Sequence, residues 1–397
     1  MKKQIVFAVG SPDVISTKTA KTLKDIGYET ILISLLGNFD KKAYKNAFDK
    51  IICFNLSALS INLKNFFDIS VESFRILKLI TLIKKLNPYV IITVSAPSPI
   101  WFCALIKRLC KKPVIYFPYD VNFLKYRDIK SYAMAGIPKI ELYSEKYCFE
   151  NSDGVVFKGD ELKYVNKNFK IKCPTIQFLP YCLEENIVAL NKKKLSKIDK
   201  EKHIVYVGYL ENKEQKSCFG MKSVVGNITQ IVNQKIHFHV YTKSQYKLIL
   251  NSKEFSKLMS NRYFHLHESV PPGRISKEIS KYDFGWFIAD FDFNIFKKEW
   301  INTCTGNKMS TFIEAGIPFI IDKNRYEFID KITKKYGLCL RITKKEMGNL
   351  NKAISKFDMK RFIRGIKIAR KNFEMSHSIG KLEEFFEEVR KFNKENS

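Results

Sequence analysis

The chain is short of acid. Against 69 lysines and arginines it sets 40 aspartates and glutamates, a net charge of +29. Such a surface attracts anions: nucleic acid, an anionic membrane face or phosphorylated metabolites. The excess is spread along the chain, and no arginine-rich arm, zinc-finger spacing or aromatic RNA-binding signature accompanies it. Nucleic acid is therefore not expected as a partner. The nine cysteines form no C-x-x-C pair; an odd count without ligand spacing reads as buried free thiols, not as a disulfide frame or zinc site. Long apolar runs are also missing. The longest, 90–106, is broken by Pro97 and Pro99, which argues against a transmembrane helix. Met1-Lys2-Lys3-Gln4 leads into a short apolar run that stops at Gly10-Ser11-Pro12, which is not the plan of a secretory signal. A cytoplasmic chain is expected, with the inner face of a membrane as a candidate peripheral contact. The complete G-x-G-x-x-G dinucleotide fingerprint is absent as well.

What is present is a repeated alternation. With 397 residues, 45% of them apolar, the chain suits two domains of roughly 150–200 residues each. A continuous apolar run at 5–9 reads as a buried parallel strand, and further strands are expected at 28–34, 51–54, 89–94, 113–117, 154–157 and 175–179, with helices at 16–26, 73–86, 100–110, 140–151 and 160–167 between them. The stretch 191–203 is strongly charged and reads as a surface linker. The pattern then restarts. Strands are expected at 204–207, 236–241, 263–267, 284–288 and 318–321, helices at 221–232, 275–282 and 309–314, and a mainly helical remainder ends in an amphipathic stretch at 378–392. Two such halves imply an α/β chain of two Rossmann-like doubly wound domains, each binding ligands beyond the C-terminal ends of its strands.

Five segments carry candidate chemistry. In Asn307–Ile321, Gly316 stops a short helix and Pro318 opens a buried strand. The helix start at Asn307 and Lys308 suits a diphosphate, and Thr311 and Glu314 share one face that suits a ribose. Gly10, after the first strand, lets a ligand approach the backbone. Asp120 ends the strand-loop Tyr116-Phe117-Pro118-Tyr119-Asp120 and is the candidate acid or base for an acceptor hydroxyl. His265 and His267 lie on one strand face but lack a third ligand, so no metal site is assigned, and His203, His237 and His239 read as structural. The basic run 106–112 suits an anionic lipid surface.

The Asn307–Ile321 junction resembles the N-K-x-x-E-Y-x-x-x-G-x-P-x-I signature of GT-B glycosyltransferases, in particular the large retaining family-4-type group that builds lipopolysaccharide, capsule and other glycans. Ile204-Val205-Tyr206-Val207-Gly208 resembles the opening of that family's donor domain. The unit from His265 through Asp283-Phe284-Gly285, and Glu145 with Asn151-Ser152-Asp153-Gly154-Val155-Val156, follow in matching order. The resemblance implies an acceptor-side domain at 1–185, a linker at 186–203, a donor-nucleotide domain at 204–375, and a helix at 376–397 crossing back to the first domain, the two domains facing a cleft. It implies metal-independent transfer of a hexosyl or related sugar from a nucleotide sugar to a glycan or lipid-linked acceptor, with no cofactor beyond that co-substrate. Donor contacts fall on Gly10, Gly208, Tyr209, Lys213, Lys216, Tyr241, Glu268, Val270, Asn307, Lys308, Thr311 and Glu314, and catalytic roles on Asp120 and Lys308. Two departures stand out: Thr311 occupies the place of the family's ribose-binding glutamate, and Tyr209 that of its phosphate-binding arginine. They keep open a non-catalytic GT-B module that partners an active transferase. A nucleotide-sugar epimerase of the same fold is the other alternative.

Overall fold

The computed structural model describes residues 2–37, 39–54, 66–95, 99–190, 193–210, 224–242, 246–268, 270–289, 291–303 and 305–396. They form two compact units. The first comprises Met1–Leu124, Pro138–Leu179 and Ser378–Ser397, and the second Lys125–Ile137 and Pro180–His377.

The first unit holds a parallel sheet of β1 (Gln4–Val9), β2 (Glu29–Ser34), β3 (Lys50–Cys53), β4 (Val90–Ser95), β5 (Val114–Pro118), β6 (Gly154–Phe157) and β7 (Thr175–Gln177), in the order β3-β2-β1-β4-β5-β6-β7. The inner strands β1, β4, β5 and β6 are buried almost throughout, as unbroken apolar runs require of strands covered on both faces. The second unit repeats the plan with β8 (Lys202–Val207), β9 (Ile236–Thr242), β10 (Phe264–Glu268), β11 (Phe284–Trp286), β12 (Phe319–Asp322) and β13 (Cys339–Ile342), ordered β10-β9-β8-β11-β12-β13 and parallel throughout. In each sheet the strand order reverses beside the first strand of the unit, which makes a crevice at the β1/β4 and β8/β11 strand ends.

The remainder after β12 is mainly helical, as expected, and adds one strand: β13 pairs with β12 from Phe319↔Cys339 to Asp322↔Ile342; a four-residue edge strand carrying Arg341 has too little apolar length to announce itself. Within the stretch read as a surface linker, 193–203 is tied into the second unit. Lys194 Nζ donates to the carbonyls of Ser280 and Tyr282 at 2.8 Å each, Ser196 Oγ donates to Asp283 at 2.6 Å, and His203 is buried in β8. Charge density suggested a solvated stretch, but the polar side chains find partners in the fold.

The last helix, Ile379–Asn396, belongs to the first unit. A Cβ at Gly154 would lie 2.4 Å from Val389 Cγ2, so only glycine admits this helix so close to β6. Next to it, buried Asp153 accepts from Asn393 Nδ2 at 3.1 Å, from the Val114 amide at 2.8 Å and from Lys107 Nζ at 2.6 Å. Lys107 is thereby removed from the basic run that suggested a lipid surface. Among the described residues the cysteines are free thiols, five of seven buried, and no helix is long and apolar enough to cross a membrane.

Candidate functional site

The crevice of the second unit opens where β8 ends. Gly208 follows it with φ 139° and donates its amide to the Tyr241 carbonyl at 3.0 Å. A side chain would be strained there, and a Cβ would stand 3.2 Å from Lys308 Cε. Two residues earlier Tyr206, buried in β8, donates its hydroxyl to the Tyr209 carbonyl at 2.6 Å and so fixes the turn. Its ring lies under the Lys308 ammonium, 4.0 Å from Nζ to the centroid, and the Phe287 ring beyond β11 is 5.9 Å away.

Lys308 is the first residue of the helix Lys308–Ala315. Asn307 precedes it in helical conformation and makes no side-chain cap, so the positive end of the helix is not quenched by its own cap. Gly316 ends the helix at φ 67°, with its amide on the Ile313 carbonyl and the Ile317 amide on that of Phe312. Burial pushes the Lys308 amine down from the ordinary lysine range to about 7. Among the described residues no carboxylate forms an ion pair with it. A half-buried amine at a crevice, held by aromatic faces and with no acid paired to it among the described residues, is suited to an incoming anion.

Other expected contacts are placed differently. Glu314 is 1% exposed; one carboxylate oxygen accepts from the Leu183 amide at 2.9 Å and the other from Ser276 Oγ at 2.7 Å. Its backbone carbonyl accepts from the Val188 amide and from Arg370 Nη2. Glu314 is thus a buckle under the helix, and its expected ribose contact is replaced by these bonds. Thr311 is 8% exposed and donates to the Asn307 carbonyl at 3.3 Å. The Tyr241 hydroxyl donates to Glu278 at 2.7 Å and meets the Tyr282 hydroxyl at 2.8 Å. Tyr209 and Val270 are half-buried, and Glu268 is exposed at the end of β10. Lys213 and Lys216 lie outside the described residues.

In the first unit the Gly10 carbonyl accepts from Ser34 Oγ at 2.8 Å and from the Leu36 amide at 2.9 Å, and Asp13 caps the helix Val14–Asp25 through the amides of Ile15 and Ser16. Asp120, beyond β5, accepts from Lys158 Nζ at 3.3 Å, and that ammonium lies 4.1 Å from the Tyr119 ring centroid. Glu145 holds the same loop through the amides of Asn122 and Phe123, and burial raises its carboxyl to about 8. Glu161, near Lys158, is likewise raised to about 7 by burial. Sequence reading missed Lys158, Glu161 and Tyr206. An aromatic two residues before the strand-end glycine is the one signal that pointed to any of them.

No family model matches the chain, and no curated protein matches it. Solved structures do. A glycosyltransferase from Rickettsia africae ESF-5 superposes with a TM-score of 0.60 at 14% identity, covering 98% of each chain. HepE of Anabaena, in complex with UDP and glucose, gives 0.64 at 9% identity over 96% of this chain and 99% of its own. The UDP-GlcNAc 2-epimerase of Neisseria meningitidis, bound to UDP-GlcNAc, gives 0.53 at 11% identity over 91% and 94%. At these identities the likeness establishes the fold, GT-B, with its two Rossmann-like units.

Proposed function

We propose that the chain is a glycosyltransferase that takes a sugar from a nucleotide donor bound on the second unit and passes it to a glycan or lipid-linked acceptor of cell-surface polysaccharide synthesis. The observation that carries this reading is the Lys308 ammonium beside Gly208, at the strand-order reversal of the second sheet and without an acid among the described residues. Charge develops on the departing diphosphate as the glycosidic bond to it breaks, and a preorganised cation with a helix N-terminus stabilises that charge without a metal. Tyr206 positions the amine from below, and Gly208 leaves room above it. Thr311 lies on the same helix, on the face suited to the ribose. In the first unit Asp120, held by Lys158, is the group offered to the acceptor hydroxyl. HepE's complex with UDP and glucose supports a uridine diphosphate donor. Retention of configuration and a peripheral position at the inner membrane face follow from the family resemblance.

The test is release of nucleotide from UDP-, GDP- and CMP-sugars, with and without glycan or lipid-linked acceptors. Acceptor-dependent release from a UDP-sugar is expected. Sugar conversion without acceptor would replace this reading by an epimerase, and binding without turnover of any donor by a non-catalytic module.

A further inference from the structure

Five of the six histidines stand together on one face of the second sheet. Strand register puts them there: His203 of β8 is level with His237 of β9, and His239 of β9 is level with His265 of β10, with His267 one step further. They form two diagonal hydrogen-bonded rows. In one, His203 Nδ1 meets His239 Nε2 at 3.0 Å, and His239 Nδ1 meets His267 Nε2 at 3.0 Å. In the other, His237 Nδ1 meets His265 Nε2 at 2.8 Å. Each row ends at a carboxylate: His203 Nε2 is 2.8 Å from Asp199 Oδ2, and His237 Nε2 is 2.6 Å from Glu201 Oε2. The His203 and His237 rings are stacked, 4.5 Å between centroids.

We propose that Asp199, His203 and His237, with Glu201 as the fourth ligand, form a structural site for a borderline divalent cation, Zn2+. The ligand atoms of the first three lie within 4.8 Å of one another. Two imidazoles and carboxylates without thiolate suit zinc better than calcium or magnesium, which prefer all-oxygen shells. What sets the cluster apart from a chance group of surface acids is its second shell. The far nitrogen of each ligating imidazole is already bonded to another histidine, an arrangement that fixes ring orientation and tautomer at metal sites. The site sits at the N-terminal edge of the sheet. His203 precedes Gly208 by five residues along β8, roughly 16 Å, so the ion takes no part in sugar transfer.

Proton positions follow. Both rows are satisfied when, without metal, each Nε2–H donates toward the carboxylate end and each Nδ1 accepts. Zn2+ on His203 Nε2 displaces that proton to solvent. His203 Nδ1 takes the proton of His239 Nε2, His239 Nδ1 takes that of His267 Nε2, and His267 Nδ1 takes one from solvent. The row stays neutral and reverses its direction.

The experiment titrates the whole chain, freed of metal by chelator, with Zn2+. One equivalent is expected to bind. H203Q and H237Q should weaken it by more than about 100-fold, and D199N and H239Q, the latter behind His203 in its row, by roughly 10- to 100-fold, while H377Q leaves it unchanged. Co2+ should give a spectrum without a thiolate charge-transfer band, and 15N spectra of the loaded chain should show His239 and His267 protonated at Nδ1. Asp199 is exposed, so D199N keeps the test decisive if a buried histidine variant fails to fold. Absence of stoichiometric uptake, uptake unaffected by H203Q, H237Q and D199N, or a thiolate band would overturn the proposal.

Discussion

Two lysines in this molecule stand over tyrosine rings at strand ends, and they differ in one respect. Lys158 lies 4.1 Å from the Tyr119 centroid and Lys308 4.0 Å from that of Tyr206. Lys158 has Asp120 at 3.3 Å. Lys308 has no carboxylate among the described residues, and burial lowers it to about 7. The aromatic support is the same; the counter-charge is what separates them. A lysine with its acid built in closes a loop and holds a carboxylate in place. A lysine whose acid is left out is open to one supplied by a ligand. The second arrangement costs stability in the empty protein, because a buried amine must either lose its proton or stay charged in a poor solvent. Binding an anion removes that cost.

The comparison predicts its own largest effect. Lys308→Ala should lower kcat/KM for the nucleotide sugar by roughly 100- to 1000-fold, the range for loss of one preorganised charge on a leaving group, with the fold intact by circular dichroism. Unchanged kinetics would put the diphosphate elsewhere. Breaking the other pair should act on stability first. Asp120→Asn removes the carboxylate beside the Lys158 ammonium, whose side chain is 4% exposed, and should cost about 3 kcal/mol in chemical denaturation. Adding Lys158→Met to Asp120→Asn should restore part of that loss, since removing both charges is cheaper than removing one. A double variant no more stable than the single would mean that the pair is not the source of the penalty.

Much of this plan was legible in the residues. Unbroken apolar runs marked the strands because a parallel sheet buries both faces, and Gly316 and Pro318 marked the stop and restart of the chain around the helix Lys308–Ala315. Gly208 was legible because it follows such a run. The partners of these residues were not. Asp120 and Lys158 are 38 positions apart, brought together by the pairing of β5 with β6. Glu314 and Leu183 are 131 apart, so nothing local told a ribose contact from a buckle. The histidine rows depend on the mutual register of β8, β9 and β10, and a one-residue slip would send the rings of a strand to the opposite face. Local pattern specifies elements, and register specifies which side chains meet.

The smallest effect is the one that separates the two lysines most cleanly. Burial holds the Lys308 amine down at about 7 in the empty protein, and a bound diphosphate should raise that value. Below pH 7 the amine is charged in both states, and this group gives donor binding no pH dependence. Above pH 7 the empty site is neutral while the occupied site stays charged, so each binding event takes up a proton. Affinity should then fall about tenfold per pH unit, or 1.4 kcal/mol, until the pH passes the raised value. The diphosphate of a nucleotide sugar does not titrate in this window, and the part of the slope that Lys308→Arg removes belongs to the Lys308 amine. Calorimetry of UDP-glucose binding between pH 7 and 9, in buffers of different ionisation enthalpy, should show uptake approaching one proton. Lys308→Arg, which stays charged throughout, should flatten the slope and abolish the uptake. Asp120→Asn should leave both unchanged, because the titrating amine is that of Lys308. A slope that survives Lys308→Arg would assign the titrating group elsewhere and remove the distinction between the two lysines.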